Sequence, residues 1–532
     1  MMADFGVRRE TSLQLRKTIA SQLPEFLLRQ RWFGGKARRI DSAEIIDSIP
    51  LSTKTAESFV LIVSVKYAGG IDETYAMPFV RAANAAPSSG TDSSSLSLQT
   101  SDGADPVVLT DGLKNQEFLT ALLDLIQQKT NLLSERGELR AMQTTAYSTL
   151  GPSSASDLRP RPVGAEQSNT SIIYGDRLIL KFFRRIQEGI NPDIEIGRFL
   201  TEKTSFTSVP LLAGVLEYQT QDGKQMAQGM LQAFVPNQGD AWSFTLDSLA
   251  DFYDVVAKDA DSAILPEVPA FLDGVVGPYL EAAETLGHRT AQMHLALASE
   301  TSDAAFVPEP FTMEFQGALE QSILGLTNRV FALMQDRLAS LPPDWQAKAT
   351  RLAGQRQKIE GRIHAALSKP IRAMRTRIHG DYHLGQVLRT ASDFVIIDFE
   401  GEPARPIAER RVKRSPLQDV AGMLRSFHYA AFAPLLGENK LQAEDVRRLS
   451  GWAESWNIWV SERFLSKYFE TAGAASYLPQ SLEETRTVLE LHLLEKAIYE
   501  LGYELNNRPA WIGIPLQGIS KILIDIGAAI VK

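Results

Sequence analysis

Hydrophobic residues follow two rhythms along the chain. Up to about residue 235 they come in short runs: Ala43–Ile49, Ser58–Tyr67, Thr74–Val80, Ser171–Tyr174, Arg177–Phe183, Leu211–Tyr218 and Gln225–Phe234. Runs of this length, bounded by turn residues such as Gly69 and Gly70, predict antiparallel strands. Helical spacing breaks in three times. It appears over 12–29 (Leu13, Leu15, Ile19, Leu23, Phe26, Leu27), interrupted at Pro24, and over 114–129 (Phe118, Leu119, Leu122, Leu123, Ile126). It returns after Asn191 and Pro192, a favoured cap and first-turn pair. Beyond about 240 the period is helical throughout, predicting helices near 245–258, 276–299, 314–337, 344–367, 417–433, 443–471 and 482–507. The Ser/Ala/Gly/Asp tract 84–105 fits neither rhythm. With almost no large side chains to bury, it reads as a flexible insertion.

The pattern predicts an α+β protein with β-rich units over 1–110 and 111–236 and a helical unit over 237–532. Composition narrows the function. A net charge of −9, from 55 Lys+Arg against 64 Asp+Glu, gives no basic footprint for nucleic acid. The absence of cysteine excludes disulfides, thiolate nucleophiles and Cys-ligated metals. No run is long and apolar enough for a membrane span, so a cytoplasmic protein is expected.

The chemistry concentrates in HGDYHLGQVLRTASDFVIIDFEGEPA, residues 379–404. It reads as a loop, a strand Val387–Arg389, a turn Ala391–Asp393 and a strand Phe394–Asp398. Such a hairpin folds back and returns Asp398 towards Asp381. Two carboxylates with the amide of Gln386 between them supply oxygen ligands for Mg²⁺ and a base for a hydroxyl. The spacing of His379, Gly380, Asp381 and Gln386 resembles the catalytic loop of protein-kinase-like phosphotransferases, and Asp398-Phe399-Glu400 resembles their metal-binding triplet. Gln386 stands where Asn is usual and Glu400 where Gly is usual.

A kinase core needs a lysine on an upstream strand for the α/β-phosphates, and Lys181 in RLILKFF fits. Glu195 or Glu202 on the following helix would fix its position. The glycine-rich phosphate loop is missing. In its place stands a stretch containing Gln167, Ser168, Asn169, Thr170 and Ser171, either a plain turn or a phosphate cover. Gln232 and Phe234 fall where a kinase hinge meets adenine. Ser415 and Pro416 open a helix that carries Asp419, either a brace for the catalytic loop or a first-turn acid favouring the helix dipole. Lys496, Tyr499 and Tyr503 share a helix face, with Asn507, Arg508 and Trp511 just beyond. That face is either a carbohydrate site or a packing surface.

Taken together, these residues resemble the bacterial maltokinases, among the aminoglycoside-phosphotransferase-like kinases. The resemblance is carried by LPEFLLRQRWFGGKARRI (23–40), EQSNTSIIYGDRLILKFFRRIQEGINPDIEIGRFL (166–200), NQGDAWSFTLDSL (237–249), HGDYHLGQVLRT (379–390) and KAIYELGYELNNRPAWIGIPL (496–516). It implies a bilobal protein-kinase-like fold with an N-terminal cap over 1–110, an intermediate nucleotide-covering lobe over 111–236 and a helical lobe over 237–532. It implies ATP and Mg²⁺ as cofactors and transfer to the anomeric hydroxyl of maltose, feeding α-glucan synthesis. Asp381 would face the sugar hydroxyl, with His383, Lys496, Tyr499, Tyr503 and Arg508 around the sugar. Gln386, Asp398 and Glu400 would hold the metal. Lys181, Glu195, Gln232, Phe234 and 167–171 would hold the nucleotide. A separate trehalose synthase is an expected partner. The rival expectations are a kinase of another sugar, such as glucosamine, and a sensing pseudokinase. Retention of Lys181, Asp381 and Asp398 together argues against the latter.

Overall fold

The computed structural model describes residues 4–81, 95–98, 107–151, 158–163, 169–258, 264–403, 405–436 and 443–524, with backbone alone for 4–15, 344 and 443. The chain divides into two compact units, 1–203 with 210–236, and 204–209 with 237–532.

The first unit opens with helix α1 (Asp4–Arg29), which runs through Pro24 where the sequence predicts an interruption. Five strands then pair antiparallel in the order β1 (Ile40–Ser52), β2 (Glu57–Tyr67), β3 (Glu73–Arg81), β5 (Val107–Asp111), β4 (Ser95–Leu98). Pro50 lies in β1, an edge strand, where its missing N–H is tolerated. Strand β4 corrects part of the expected flexible insertion. Leu96 and Leu98 alternate with serines and are buried at 1% and 0% exposure, so two leucines suffice to pin the strand against β5. The remainder of 84–105 lies outside the described residues.

Helix α2 (Gln116–Gln128) is capped by Asn115, whose side chain accepts the Phe118 N–H, and it buries Phe118, Leu119, Leu122, Leu123, Leu125 and Ile126. Each such side chain contributes roughly 1.5–3 kcal/mol on burial. The second sheet has seven strands in the order β6 (Leu132–Leu133), β7 (Gly137–Gln143), β12 (Leu212–Thr220), β13 (Gln225–Ala233), β10 (Leu178–Phe183), β9 (Asn169–Tyr174), β8 (Pro160–Pro162). After β10 the chain continues into β11 (Arg185–Ile186), which pairs with β3 of the first sheet. Helix α3 (Pro192–Lys203) follows. Asn191 caps it as expected, its Oδ1 accepting the N–H groups of Asp193 and Ile194.

The second unit is helical: α4 (Ala241–Val256), α5 (Asp273–Leu297), α6 (Met313–Arg337), α7 (Pro343–Ala353), α8 (Arg356–Leu367), α9 (Leu417–Leu436), α10 (Ala443–Ala472), α11 (Leu482–Asn507) and α12 (Gly513–Ile524). The single helix expected over 344–367 is two, because Gly354 caps α7 before α8 begins. Helix α9 is buried nearly all round and packs on α10 and α11. Between α8 and α9 lies the predicted hairpin, β14 (Val387–Arg389) with β15 (Phe394–Ile396). Its second strand stops at Ile396, two residues before the predicted end. Arg289 of α5 grips the turn through both carboxylate oxygens of Asp393, at 2.9 and 2.6 Å.

Candidate active site

In the first unit, alternation along β10 places Lys181 opposite Met230 of β13 and Ser171 of β9. Its ammonium lies 3.3 Å from Oδ2 of Asp193, a carboxylate buried to 3% exposure in the first turn of α3. Asp193 is an ion-pair partner that the sequence pattern does not single out. The pattern offers Glu195 and Glu202, and Glu202 accepts the backbone N–H of Thr145. Asp193 lies on the same helix as these acids, a difference in placement that spacing alone does not resolve. Of the expected phosphate cover, Asn169, Thr170 and Ser171 belong to β9, while Gln167 and Ser168 lie outside the described residues. Arg184 ties Thr170 Oγ1 (3.1 Å) to Asp111 (2.6 Å). Gln232 sits inside the sheet ladder between Ile179 and Leu212. The N–H of Phe234 is donated to the Arg177 carbonyl.

In the second unit the His379–Asp381 loop is held from behind. Asp419 of α9, 1% exposed, accepts the N–H groups of His379 (2.7 Å) and Gly380 (2.9 Å), and His294 Nε2 lies 3.1 Å from it. Asp419 thus braces the loop. The His379 ring donates from Nε2 to the Ile397 carbonyl, which leaves Nδ1 to accept the Asp381 N–H at 3.4 Å. Gly380 has φ +84°, and a Cβ there would lie 3.3 Å from the Gly401 Cα, so the loop needs glycine at this point. Gly422 of α9 is required for another reason. A Cβ would fall 2.5 Å from the Tyr382 carbonyl oxygen.

The hairpin returns as predicted. The Gln386 carbonyl accepts the Ile397 N–H, and the Ile397 carbonyl accepts from the His379 ring of the loop. Asp398 has φ +69°, a left-handed conformation uncommon outside glycine and the short polar residues. Strain of this kind gathers where a side chain must be aimed.

Asp381 opens onto a cleft of about 760 Å³ whose walls include His383, Lys496, Tyr499, Tyr503, Arg508 and Trp511. The predicted sugar-facing side chains His383, Lys496, Tyr499, Tyr503 and Arg508 therefore share one cleft with Asp381. Asp240 and Trp242 at the start of α4 line it too. Asp240 is bridged through its backbone to Leu388 of the hairpin. Nothing in the sequence rhythm marks either one, because Asp240 reads as an ordinary N-cap, which it also is.

Burial acts to raise the Asp381 carboxyl, but Lys496 at 3.2 Å and His383 outweigh it and hold the group below the usual carboxylate range. Burial opposes the Lys496 charge, yet Asp381 and Glu500 hold that ammonium above its ordinary value. Its Nζ also lies 5.2 Å from the Tyr499 ring centre. Burial, aided by Glu402, pushes the Tyr499 hydroxyl up to about 12, and burial lowers His383. Three of the cleft's four acids have basic partners: Asp381 with Lys496, Glu500 with Arg425 (2.7 Å) and Glu504 with Arg508 (2.6 Å). Asp240 pairs with no basic side chain among the described residues.

Comparison with known proteins completes the picture. Residues 26–114 match the maltokinase N-terminal cap domain. The N-terminal part of the chain is thus similar to the cap of maltokinases. Among curated relatives, the chain is 27% identical over 372 residues to glucosamine kinase of Mycolicibacterium smegmatis, covering 68% of this chain and 79% of that protein. It is 22% identical over 368 residues to glucosamine kinase of Streptacidiphilus jiangxiensis, covering 68% and 73%. Its fold is that of a glucosamine kinase solved with glucosamine, ADP and inorganic phosphate, at TM-score 0.60, 18% identity and coverage of 94% and 97%. A second crystal form of glucosamine kinase gives TM-score 0.62 at 17% identity, covering 96% and 99%. The kinase-like fold class with an N-terminal cap of antiparallel strands is thereby shown. No helix among the described residues is long and apolar enough to cross a membrane.

Proposed function

We propose that this protein transfers the γ-phosphoryl group of ATP to the anomeric hydroxyl of maltose, giving α-maltose 1-phosphate and ADP. The observation that carries the reading is the Asp381–Lys496 pair at the floor of an aromatic-walled cleft whose remaining acids are mostly neutralised from within. Aromatic faces and hydrogen-bonding edges suit the apolar faces and hydroxyls of a neutral disaccharide. An aminosugar would bring an ammonium next to Lys496 and Arg508, with only Asp240 lacking a basic partner to receive it. The glucosamine reading has its own support in the names of the relatives, and it makes Asp240 the seat of the ammonium.

In this proposal Asp381 orients the attacking hydroxyl. A carboxylate held below its usual range is ionised at working pH and has little drive to take the proton early, which suits a loose transition state in which the proton leaves late. Lys496 fixes the carboxylate and stands beside the forming bond. Lys181, supported by Asp193, would hold the nucleotide phosphates. Glu195, Gln232, Phe234 and 167–171 remain proposed nucleotide contacts. The donor set suits Mg²⁺, since the Asp398 carboxylate in its left-handed conformation, the Gln386 amide oxygen and Glu400 are all hard oxygen ligands. Bound there, the ion would neutralise phosphate charge. The proposal includes the metabolic place implied by the resemblance, with maltose supplied by a trehalose synthase and the product used for α-glucan.

The test is product identification. Incubation with ATP, Mg²⁺ and maltose should yield a phosphate ester whose ³¹P signal couples to the anomeric proton. An ester at any other carbon, or none, contradicts the reading.

A further inference from the structure

Next to the cleft lies a second, smaller cavity of about 40 Å³, walled by Gly380 and Asp381 of the catalytic loop, Gln418 of α9, and His492, Glu495 and Lys496 of α11. Two polar atoms in the residues of its wall lack a hydrogen-bond partner among the described residues, Oε1 of Gln418 and Nε2 of His492. His492 is 2% exposed, and Glu495 and Gln418 are neighbours in the same wall. The other ring nitrogen of His492, Nδ1, lies 2.9 Å from Oε2 of Glu495. Burial acts to raise the Glu495 carboxyl, but the His492 hydrogen bond, with Arg414 and Arg405, holds it low. An ionised carboxylate only accepts, so Nδ1 carries the hydrogen that it donates to Glu495.

Two polar atoms without a hydrogen-bond partner among the described residues thus belong to residues of one wall. Leaving both buried and unmade is unfavourable, and a cavity of about 40 Å³ has room for a water. We propose that the cavity holds one ordered water that donates a hydrogen to Gln418 Oε1 and is hydrogen-bonded to His492 Nε2. Its consequence is mechanical. Helix α9 holds the catalytic loop through Asp419, next to Gln418, and helix α11 holds the Asp381 carboxylate through Lys496, one turn after His492. The water ties these two supports together, and His492 and Gln418 are positioning residues for Asp381. This rests on the reading that Asp381 faces the acceptor hydroxyl, and not on which sugar carries it.

A double-mutant cycle on the full chain tests it, with Gln418→Met and His492→Phe singly and combined. Both are read by denaturant midpoint and by kcat, with KM for ATP as a control. Each single change removes the same water, so each should lower kcat about tenfold and leave the ATP KM unchanged, and the combination should add little. Additive losses in both readouts overturn the proposal. A crystal structure of the unsubstituted protein provides a test that needs neither folding of the variants nor sugar turnover. A single peak within hydrogen-bond range of both atoms supports the water. No peak overturns it, and so does a peak ringed by five or six oxygens accompanied by activity that requires K⁺ or Na⁺, which would make the occupant a cation. Failure of the sugar reading alone would leave the peak and the midpoint coupling in place.

Discussion

The ammonium of Lys496 stands 3.2 Å from Oδ1 of Asp381. A carboxylate mostly enclosed by protein would, left alone, titrate high. Lys496 reverses that tendency, and in the proposed mechanism the Asp381–Lys496 pair sets the pH range over which Asp381 can act.

Replacing Lys496 with Met should move the acid limb of the kcat–pH profile upward. In the parent, Asp381 is depressed, so it stays ionised and competent as pH falls through the ordinary carboxylate range, and activity is lost only below that range. In the variant, burial acts with less opposition, the carboxyl protonates at higher pH, and kcat falls off correspondingly sooner. At neutral pH a loss of roughly 10²-fold is expected from removing a charge at the reacting centre. An acid limb that does not move would show that Lys496 does not govern Asp381.

Asp419 accepts two backbone N–H groups of the catalytic loop. Asp419→Ala leaves both buried donors unmade, and hydrogen bonds to a charged acceptor contribute about 1.5–3 kcal/mol each. A drop in unfolding free energy of about 3 kcal/mol by urea titration is expected, with kcat falling more than tenfold and KM values changing little. Asp419→Asn, which keeps one acceptor, should fall between.

The partner of Lys181 can be tested the same way. Asp193→Asn should raise the ATP KM about tenfold, the worth of one charge-assisted hydrogen bond, whereas Glu202→Gln, at a residue engaged with Thr145, should leave it unchanged. Initial-rate titrations with ATP at saturating sugar decide between them.

How far these features are legible in the sequence depends on what kind of signal carries them. The hairpin 387–396 and the return of Asp398 are legible because a turn between two short apolar runs admits one local solution. The grouping of Lys496, Tyr499 and Tyr503 is legible because helical spacing fixes a shared face. Asp193 is not, since carboxylates on the same short helix differ only in tertiary placement. Asp240 and Trp242 escape notice because the bridge from Asp240 to Leu388 joins segments far apart in the chain, and no local pattern records it. Strand β4 is hidden by its composition, in which two leucines among serines decide the outcome.

Asp240 separates the two sugar readings without disturbing the fold. Asn caps a helix as well as Asp does, so Asp240→Asn should leave thermal stability unchanged while removing the charge. With a neutral sugar the KM should rise about tenfold or less, the worth of one hydrogen bond to a charged group. If glucosamine is the substrate, loss of the carboxylate facing its ammonium should lower kcat/KM far more.

The most direct measurement is a side-by-side determination of kcat/KM for maltose and glucosamine with ATP and Mg²⁺. The proposal expects maltose to be preferred by at least about two orders of magnitude, because a neutral disaccharide meets aromatic walls and paired acids, whereas an ammonium meets Lys496 and Arg508. Turnover of glucosamine with none of maltose would contradict it.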